Sequence, residues 1–230
     1  MWRLQGMMEG MIQIAGVIDE AEAMMLVEAG VEQIGFPIGV PVHREDMEAG
    51  DAARVIRLLK SPVAAVLITY KGRAEEILDL IKRTGAHKVQ LHAGITLSEV
   101  IRLKTIAPDL SVIKSLIVGV NGPEELEAAV FKFSPHVDAF ITDTYDPVTG
   151  ACGATGKTHD WDVSRRLVSV SPRPVLLAGG LTPDNVGRAI RHVRPAGVDA
   201  HTGVEGPDGR KDARLVRAFV SEAKEAFASL

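Results

Sequence analysis

An eight-fold (β/α) barrel is the fold this sequence predicts, on three observations. Short β-branched runs alternate with longer amphipathic stretches along the whole chain, the alternation counts out to eight units, and nothing interrupts it. An open doubly wound sheet rarely needs so many β-α units, whereas a closed barrel produces that number by construction. No Pro/Gly/Ser-rich linker and no low-complexity segment divides the 230 residues, so the expectation is a single TIM-barrel domain over 1–230. The opening "MWRLQGMMEGM" lacks a basic stretch followed by an apolar one, so residues 1–10 read as a loose leader rather than a signal peptide.

The units follow in order. "MIQIA" (11–15) is a strand, followed by a helix from about Asp19 to Ala29. "VEQIGF" (31–36) precedes a helix centred on "AARVIRLLK", and "PVAAVLIT" (62–69) precedes "RAEEILDLIKR". "HKVQLH" (87–92) leads into "LSEVIRLKTI", and "LSVIKSLIV" (110–118) into "PEELEAAVFKF". "VDAFITD" (137–143) leads into "WDVSRRLVSV", where Trp161 and the Asp160/Asp162 pair suit a helix start because carboxylates favour the N-terminal dipole. "PVLLAG" (174–179) leads into "TPDNVGRAIRHV", and "GVDAHT" (197–202) into a last helix over about 211–226.

Composition narrows the partners. Lysine and arginine number 26 against 30 carboxylates, a net charge of -4, with no basic stripe to neutralise nucleic-acid phosphates. A hydrophobic content of 46% suffices for a large core, and no run is long enough to span a bilayer. Cys152 is the only cysteine, which excludes an intramolecular disulfide framework. These features predict a cytoplasmic protein acting on a small molecule, a monomer or homodimer, with neither nucleic acid nor membrane as partner.

A barrel of this kind carries its active site where the strands end. The polar residues placed there are Gln13, His43, Arg44, His92, Lys114, Asp143, the Gly179-Gly180 pair and His201-Thr202-Gly203. "AGGLTPDNV" (178–186) and "HTGVEG" (201–206) close the seventh and eighth strands, where glycine-permitted close approach and helix N-termini commonly hold a phosphate. "GGL" also suits a plain strand-to-helix turn, with Thr182 as N-cap ahead of Pro183. The stretch "GACGATGKT" (150–158) ends like a nucleotide-binding P-loop, but Ala151 stands where the first glycine is required, so the match fails by one residue. Lys114 suits either positive charge inside the mouth or a buried structural lysine paired with a carboxylate. His87, His136, His159 and His192 read as surface or turn residues.

"VQLHAG", "ITDT", "GATGKTHDW", "LAGGLTPDNVGRAI" and "GVDAHTGVEGPDGRKD" together resemble the phosphoribosylanthranilate isomerase family of tryptophan biosynthesis. The resemblance is densest from Val137 to Phe219 and keeps the order of elements over nearly the whole chain. It implies a TIM-barrel isomerase that performs an Amadori rearrangement of an anthranilate ribotide, or a related amino-sugar phosphate, without cofactor or metal. It implies that Gly156-Lys157-Thr158 belongs to a loop covering a sugar phosphate, and that Asp143 in "ITDT" is the general acid. Gly156, Gly179, Gly180, Asp199, Thr202 and Gly203 would then hold the sugar phosphate, and Arg44 is the nearest match to an arginine facing the anthranilate carboxylate.

The departures cluster at the reacting end. The family's first strand usually ends in "KICG", with cysteine as base; the equivalent here is "QIAG", and Ala15 cannot take a proton. His201-Thr202 replaces two serines before "GVE". His201 lies two residues past Asp199, on the same face by strand alternation, and the eighth strand closes against the first. It is therefore the first candidate for a replacement base, with Cys152 a weaker one; the opposing reading of His201 is a phosphate or loop hydrogen bond. A barrel that has gone silent and only binds phosphate is the alternative function. A metal held by His43, His92, Asp143 and His201 is chemically conceivable, but no spacing demands it.

Overall fold

The computed structural model describes residues 10–39, 47–92, 94–145 and 156–230. The leader up to Glu9, His43, Arg44 and Cys152 lie outside the described residues. The elements run β1 (Met11–Ala15), α1 (Glu20–Glu28), β2 (Gln33–Pro37), α2 (Ala49–Ile56), β3 (Ala64–Thr69), α3 (Ala74–Thr84), β4 (Lys88–Leu91) and α4 (Leu97–Ile106). The second half continues β5 (Ser111–Val118), α5 (Pro123–Phe133), β6 (Ala139–Thr144), α6 (Trp161–Val170), β7 (Val175–Leu177), α7 (Pro183–Val193), β8 (Gly197–Ala200) and α8 (Ala213–Ala228). The strands form one closed barrel in sequence order, and β8 returns to pair in parallel with β1.

Side-chain alternation along each strand sorts the core into two compartments. Inside the barrel lie Met11, Ala15, Val66, Ile68, Ile113, Ala139, Ile141, Leu176 and Ala178. Between barrel and helices lie the larger apolar groups, including the fully buried Phe36, Phe140 and Phe219. Burying each of these rings contributes about 1.5–3 kcal/mol. The helices that pack over them begin at side-chain caps. Asp19, Thr96, Asp160 and Asp212 each accept from a first-turn amide, and Thr182 forms a capping box with Asn185 ahead of Pro183. Each such cap stabilises its helix by about 1 kcal/mol.

The same alternation decides what reaches the mouth. On β5 the inward positions include Ile113 and Ser115, so Lys114 points the other way. Its register partner is Phe140 of the outer core, its Nζ donates to the Ser115 carbonyl at 2.8 Å, and it lies 5.9 Å from the Phe133 ring centre. Of the two readings of Lys114, the structure sets aside the charge in the mouth and keeps the buried lysine, wedged between sheet and helices. Burial lowers its pKa from 10.5 to about 8. Between those values the unfolded chain holds a proton that the folded chain has lost, so stability from this group rises as pH rises from about 8 to 10.5. Lys114→Met should flatten that rise and add on the order of 3 kcal/mol at neutral pH, discounted by any repacking. Urea midpoints of both proteins across that pH range test this, and an unchanged slope would refute it.

Candidate active site

Three strand ends, those of β6, β7 and β8, converge on one recess. It is lined by Asp143 at the end of β6, Gly179 and Gly180 after β7, Asp199 on β8, and His201 and Gly203 just beyond it. Gly156 and Thr202 also reach it. The glycines are there for closeness. Gly180 sits at a φ of 61°, and a Cβ on it would overlap the Lys157 backbone, so the Gly156–Thr158 segment lies directly on the β7 turn. A Cβ on Gly203 would overlap the Leu181 carbonyl, so the turns after β7 and β8 are pressed together backbone to backbone. No described protein group accepts from the Gly180 or Gly203 amide, while Thr182 N is taken by Asn185 Oδ1 at 2.9 Å. Free amides on abutting turns make an anion-binding concavity.

The same recess holds a buried carboxyl. Asp143 is 6% exposed; its Oδ1 accepts from Thr144 N at 2.7 Å, and its Oδ2 lies 3.7 Å from His92 Nε2. His92 is held by Ser115, whose Oγ is 2.9 Å from Nδ1, and by the Tyr70 ring, 4.8 Å away centre to centre. Burial raises the Asp143 pKa, and His92 and the Thr144 amide oppose the rise only in part. Asp199 is raised well above the ordinary carboxylate value, first by burial and then by the charge of Asp143, against a Gln13 hydrogen bond and Lys211. Burial thus favours the protonated form of both carboxyls, and the charge of Asp143 adds to that effect at Asp199. Below them lies a polar layer: Gln13, level with Gln33 and Asp199 in the sheet, donates to Gln90 Oε1 at 3.0 Å across the barrel.

The third wall is His201. The register pairs Gln13 with Asp199 and Ile14 with Ala200, which brings Ala15 and His201 level as the two strands leave the barrel. A Cβ on Gly16 would fall on the His201 ring, Nε2 foremost, so the imidazole lies across the backbone directly after Ala15. Glycine is needed there twice over, for the close approach and for a φ of 83°.

The recess therefore brings together Asp143, Gly156, Gly179, Gly180, Asp199, His201, Thr202 and Gly203 of the expected site residues. Arg44 and Cys152 fall outside the described residues. His159, expected at the surface, is instead a partly buried link: Nδ1 is 3.0 Å from Thr144 Oγ and Nε2 is 2.6 Å from Ser164 Oγ, tying β6 to α6. Burial lowers its pKa to about 4, so it serves as a neutral imidazole. Sequence reasoning missed Ser115, Tyr70, Glu205 and Lys211. Strand parity would have found Ser115, a polar residue alternating with Ile113; the others carry no local signal.

This geometry has close counterparts. A family model described as N-(5'phosphoribosyl)anthranilate (PRA) isomerase matches residues 13–222. The N-(5'-phosphoribosyl)anthranilate isomerase 2 of Methanosarcina mazei is 39% identical over 217 residues, covering 94% of this chain and 95% of that protein. The isomerase of Haloferax volcanii is 37% identical, covering 94% and 93%. Among solved structures, the phosphoribosyl anthranilate isomerase of Thermotoga maritima superposes with a TM-score of 0.80 at 29% identity, covering 94% of this chain and 98% of that one. An isomerase in complex with reduced 1-(o-carboxyphenylamino)-1-deoxyribulose 5-phosphate gives 0.77 at 27% identity, with the same coverage. Sequence motifs, barrel and strand-end recess thus agree with the match over 13–222, and the chain belongs to the N-(5'-phosphoribosyl)anthranilate isomerase family.

Proposed function

We propose that this chain isomerises N-(5-phosphoribosyl)anthranilate to the 1-amino-1-deoxyribulose 5-phosphate carrying the anthranilate, a step of tryptophan biosynthesis. The observation that carries the reading is a buried carboxyl with raised pKa, Asp143, facing a recess whose rim is made of glycine turns with free amides. The phosphate docks on the Gly180 and Gly203 amides, which places the sugar over the mouth. Asp143 gives its proton to the furanose ring oxygen; the C1–O bond breaks and the anthranilate nitrogen forms a Schiff base to C1. His201 takes the C2 proton, and the electron pair moves into a C1–C2 double bond as the iminium is neutralised. The resulting enolamine tautomerises to the ketone. The proton count closes without an external oxidant or reductant.

His201 at the level of Ala15 supports a working enzyme over a silent binding barrel, because it returns a titratable group to the wall where alanine offers none. Chromatographic conversion of the anthranilate ribotide by the purified chain, together with rescue of an isomerase-lacking tryptophan auxotroph, tests the assignment. Failure of both would refute it.

The anion site has its own test. Gly180→Ala forces a side chain into a left-handed φ and against the Lys157 backbone. Losing one charge-assisted amide contact should weaken inorganic phosphate binding roughly 10- to 100-fold. Calorimetric titration with phosphate on a variant of unchanged circular dichroism reads this, and equal affinity would remove Gly180 from the site.

A further inference from the structure

We propose that Glu205 is a positioning residue that orients the His201 imidazole, and that Lys211 holds Glu205 in place, so that the base side of this site is a three-residue relay carried by the β8 end and the segment entering α8. The inference rests on the reading of His201 as base.

The relay is drawn by distances. Glu205 Oε1 lies 3.4 Å from His201 Nε2 and 2.6 Å from Lys211 Nζ, so one oxygen faces both the imidazole and the ammonium. The Lys211 side chain is 1% exposed, and those of Glu205 and His201 are 19% and 17% exposed. The backbone around them is pinned independently. Glu205 and Lys211 form an antiparallel bridge, Gly206 N donates to Arg210 O at 2.8 Å, and Asp212 N donates to Val204 O at 2.9 Å. Lys211 N donates to Glu22 Oε1 of α1 at 3.1 Å. The carboxylate therefore sits on a rigid frame shared by α1, β8 and α8.

Each member needs the next. A neutral imidazole has two tautomers, and a fixed carboxylate facing Nε2 favours the form that keeps its lone pair on Nδ1. The same charge stabilises the imidazolium that forms when the C2 proton arrives, as in other carboxylate–histidine pairs. Left alone, a half-buried Glu205 could rotate toward the mouth or take the proton itself. The buried ammonium of Lys211 prevents both by holding Oε1 at 2.6 Å. A Lys–Glu pair of this kind adds little net stability, since desolvation offsets the attraction, which leaves placement as its larger effect. Among the described residues, Asp199 and Asp143 share the recess with His201, and from the β1 side it meets the Gly16 backbone.

The test uses Glu205→Gln, which keeps the shape and removes the charge, in the wild-type and the His201→Ala backgrounds. In the wild type, kcat should fall at least about tenfold with KM changed less than about threefold. In the His201→Ala background the same substitution should cost almost nothing more, because the group it orients is gone. An equal loss in both backgrounds would overturn the proposal and make Glu205 a structural or independent group. Nitrogen chemical shifts of the His201 ring give a second readout that does not depend on turnover: the wild type should show Nε2 protonated in the neutral form, and Glu205→Gln a mixture of tautomers. An unchanged ring signature would also overturn it. Should His201→Ala retain full turnover, the base assignment fails while the ring signature still decides whether Glu205 orients the imidazole. Should Glu205→Gln not fold, Lys211→Met with the same ring measurement takes its place, expected to loosen the tautomer preference.

Discussion

Asp143→Asn is expected to abolish turnover of the anthranilate ribotide while leaving phosphate affinity within about threefold of the wild type. The amide is the same size and can still accept from Thr144 N, so the recess keeps its shape. What it cannot do is release a proton to a furanose oxygen at neutral pH. A positioned general acid typically contributes 10²–10⁴ in rate, and the loss should lie within that range. Steady-state turnover beside phosphate titration separates the two effects; comparable kcat in the Asn variant would remove Asp143 from the mechanism.

The pH behaviour carries the same signature. In the proposed role of general acid Asp143 acts only when protonated, and burial raises its pKa, so kcat should decline as pH rises through that raised value rather than through the ordinary 3.8. Stability runs in the same direction. A carboxyl whose folded pKa exceeds its unfolded one contributes stability below the unfolded value and loses it as pH climbs to the folded value. Asp143 and Asp199 are both of this kind, and each Asn variant should gain thermal stability over the wild type above pH 4 or so. About 1 kcal/mol would appear as roughly 2–4 °C in a domain of this length. Activity lost and stability gained by one substitution is the mark of a site under electrostatic strain.

The eight units were legible because each strand is a compact apolar run and each helix keeps its period, and strand positions followed from the runs to within a residue or two. The glycine turns were legible too, as a pair on adjacent strands where close backbone approach was one of two readings. Orientation was harder. Lys114 and Ser115 are neighbours in sequence, and only the parity fixed by Ile113 sends one into the helix layer and the other to His92. His159 looked like a loop residue because its partners, Thr144 and Ser164, lie on two different elements. Glu205 and Lys211 stood in full view within "HTGVEGPDGRKD", yet their tie to His201 depends on a hairpin-like return that no periodicity announces.

His201→Ala should be as damaging as the loss of the acid, for a complementary reason. With Ala15 beside it, the β1 wall offers no proton acceptor among the described residues; Asp199 is buried with a pKa raised well above the ordinary carboxylate value, and His92 is held by Ser115 and faces Asp143. Ring opening by Asp143 can still occur, so the Schiff base should form without going on to ketose. Turnover should fall by about 10²–10⁴ with little change in phosphate affinity. The decisive variant is the double one. Because β8 holds position 201 level with position 15, Ala15→Cys in the His201→Ala background places a thiol on the same side of the mouth, in space the imidazole has vacated. Cysteine is the residue that the family resemblance puts there, and its thiolate is a competent base. Recovery of at least about tenfold in kcat, growing as pH rises toward the thiol's ordinary pKa near 8.5, would show that the base has moved from the first strand to the eighth within one unchanged reaction. Full activity in the single His201→Ala variant would refute the relocation outright, and failure of the cysteine to restore turnover in a folded double variant would mean that His201 does more than accept a proton.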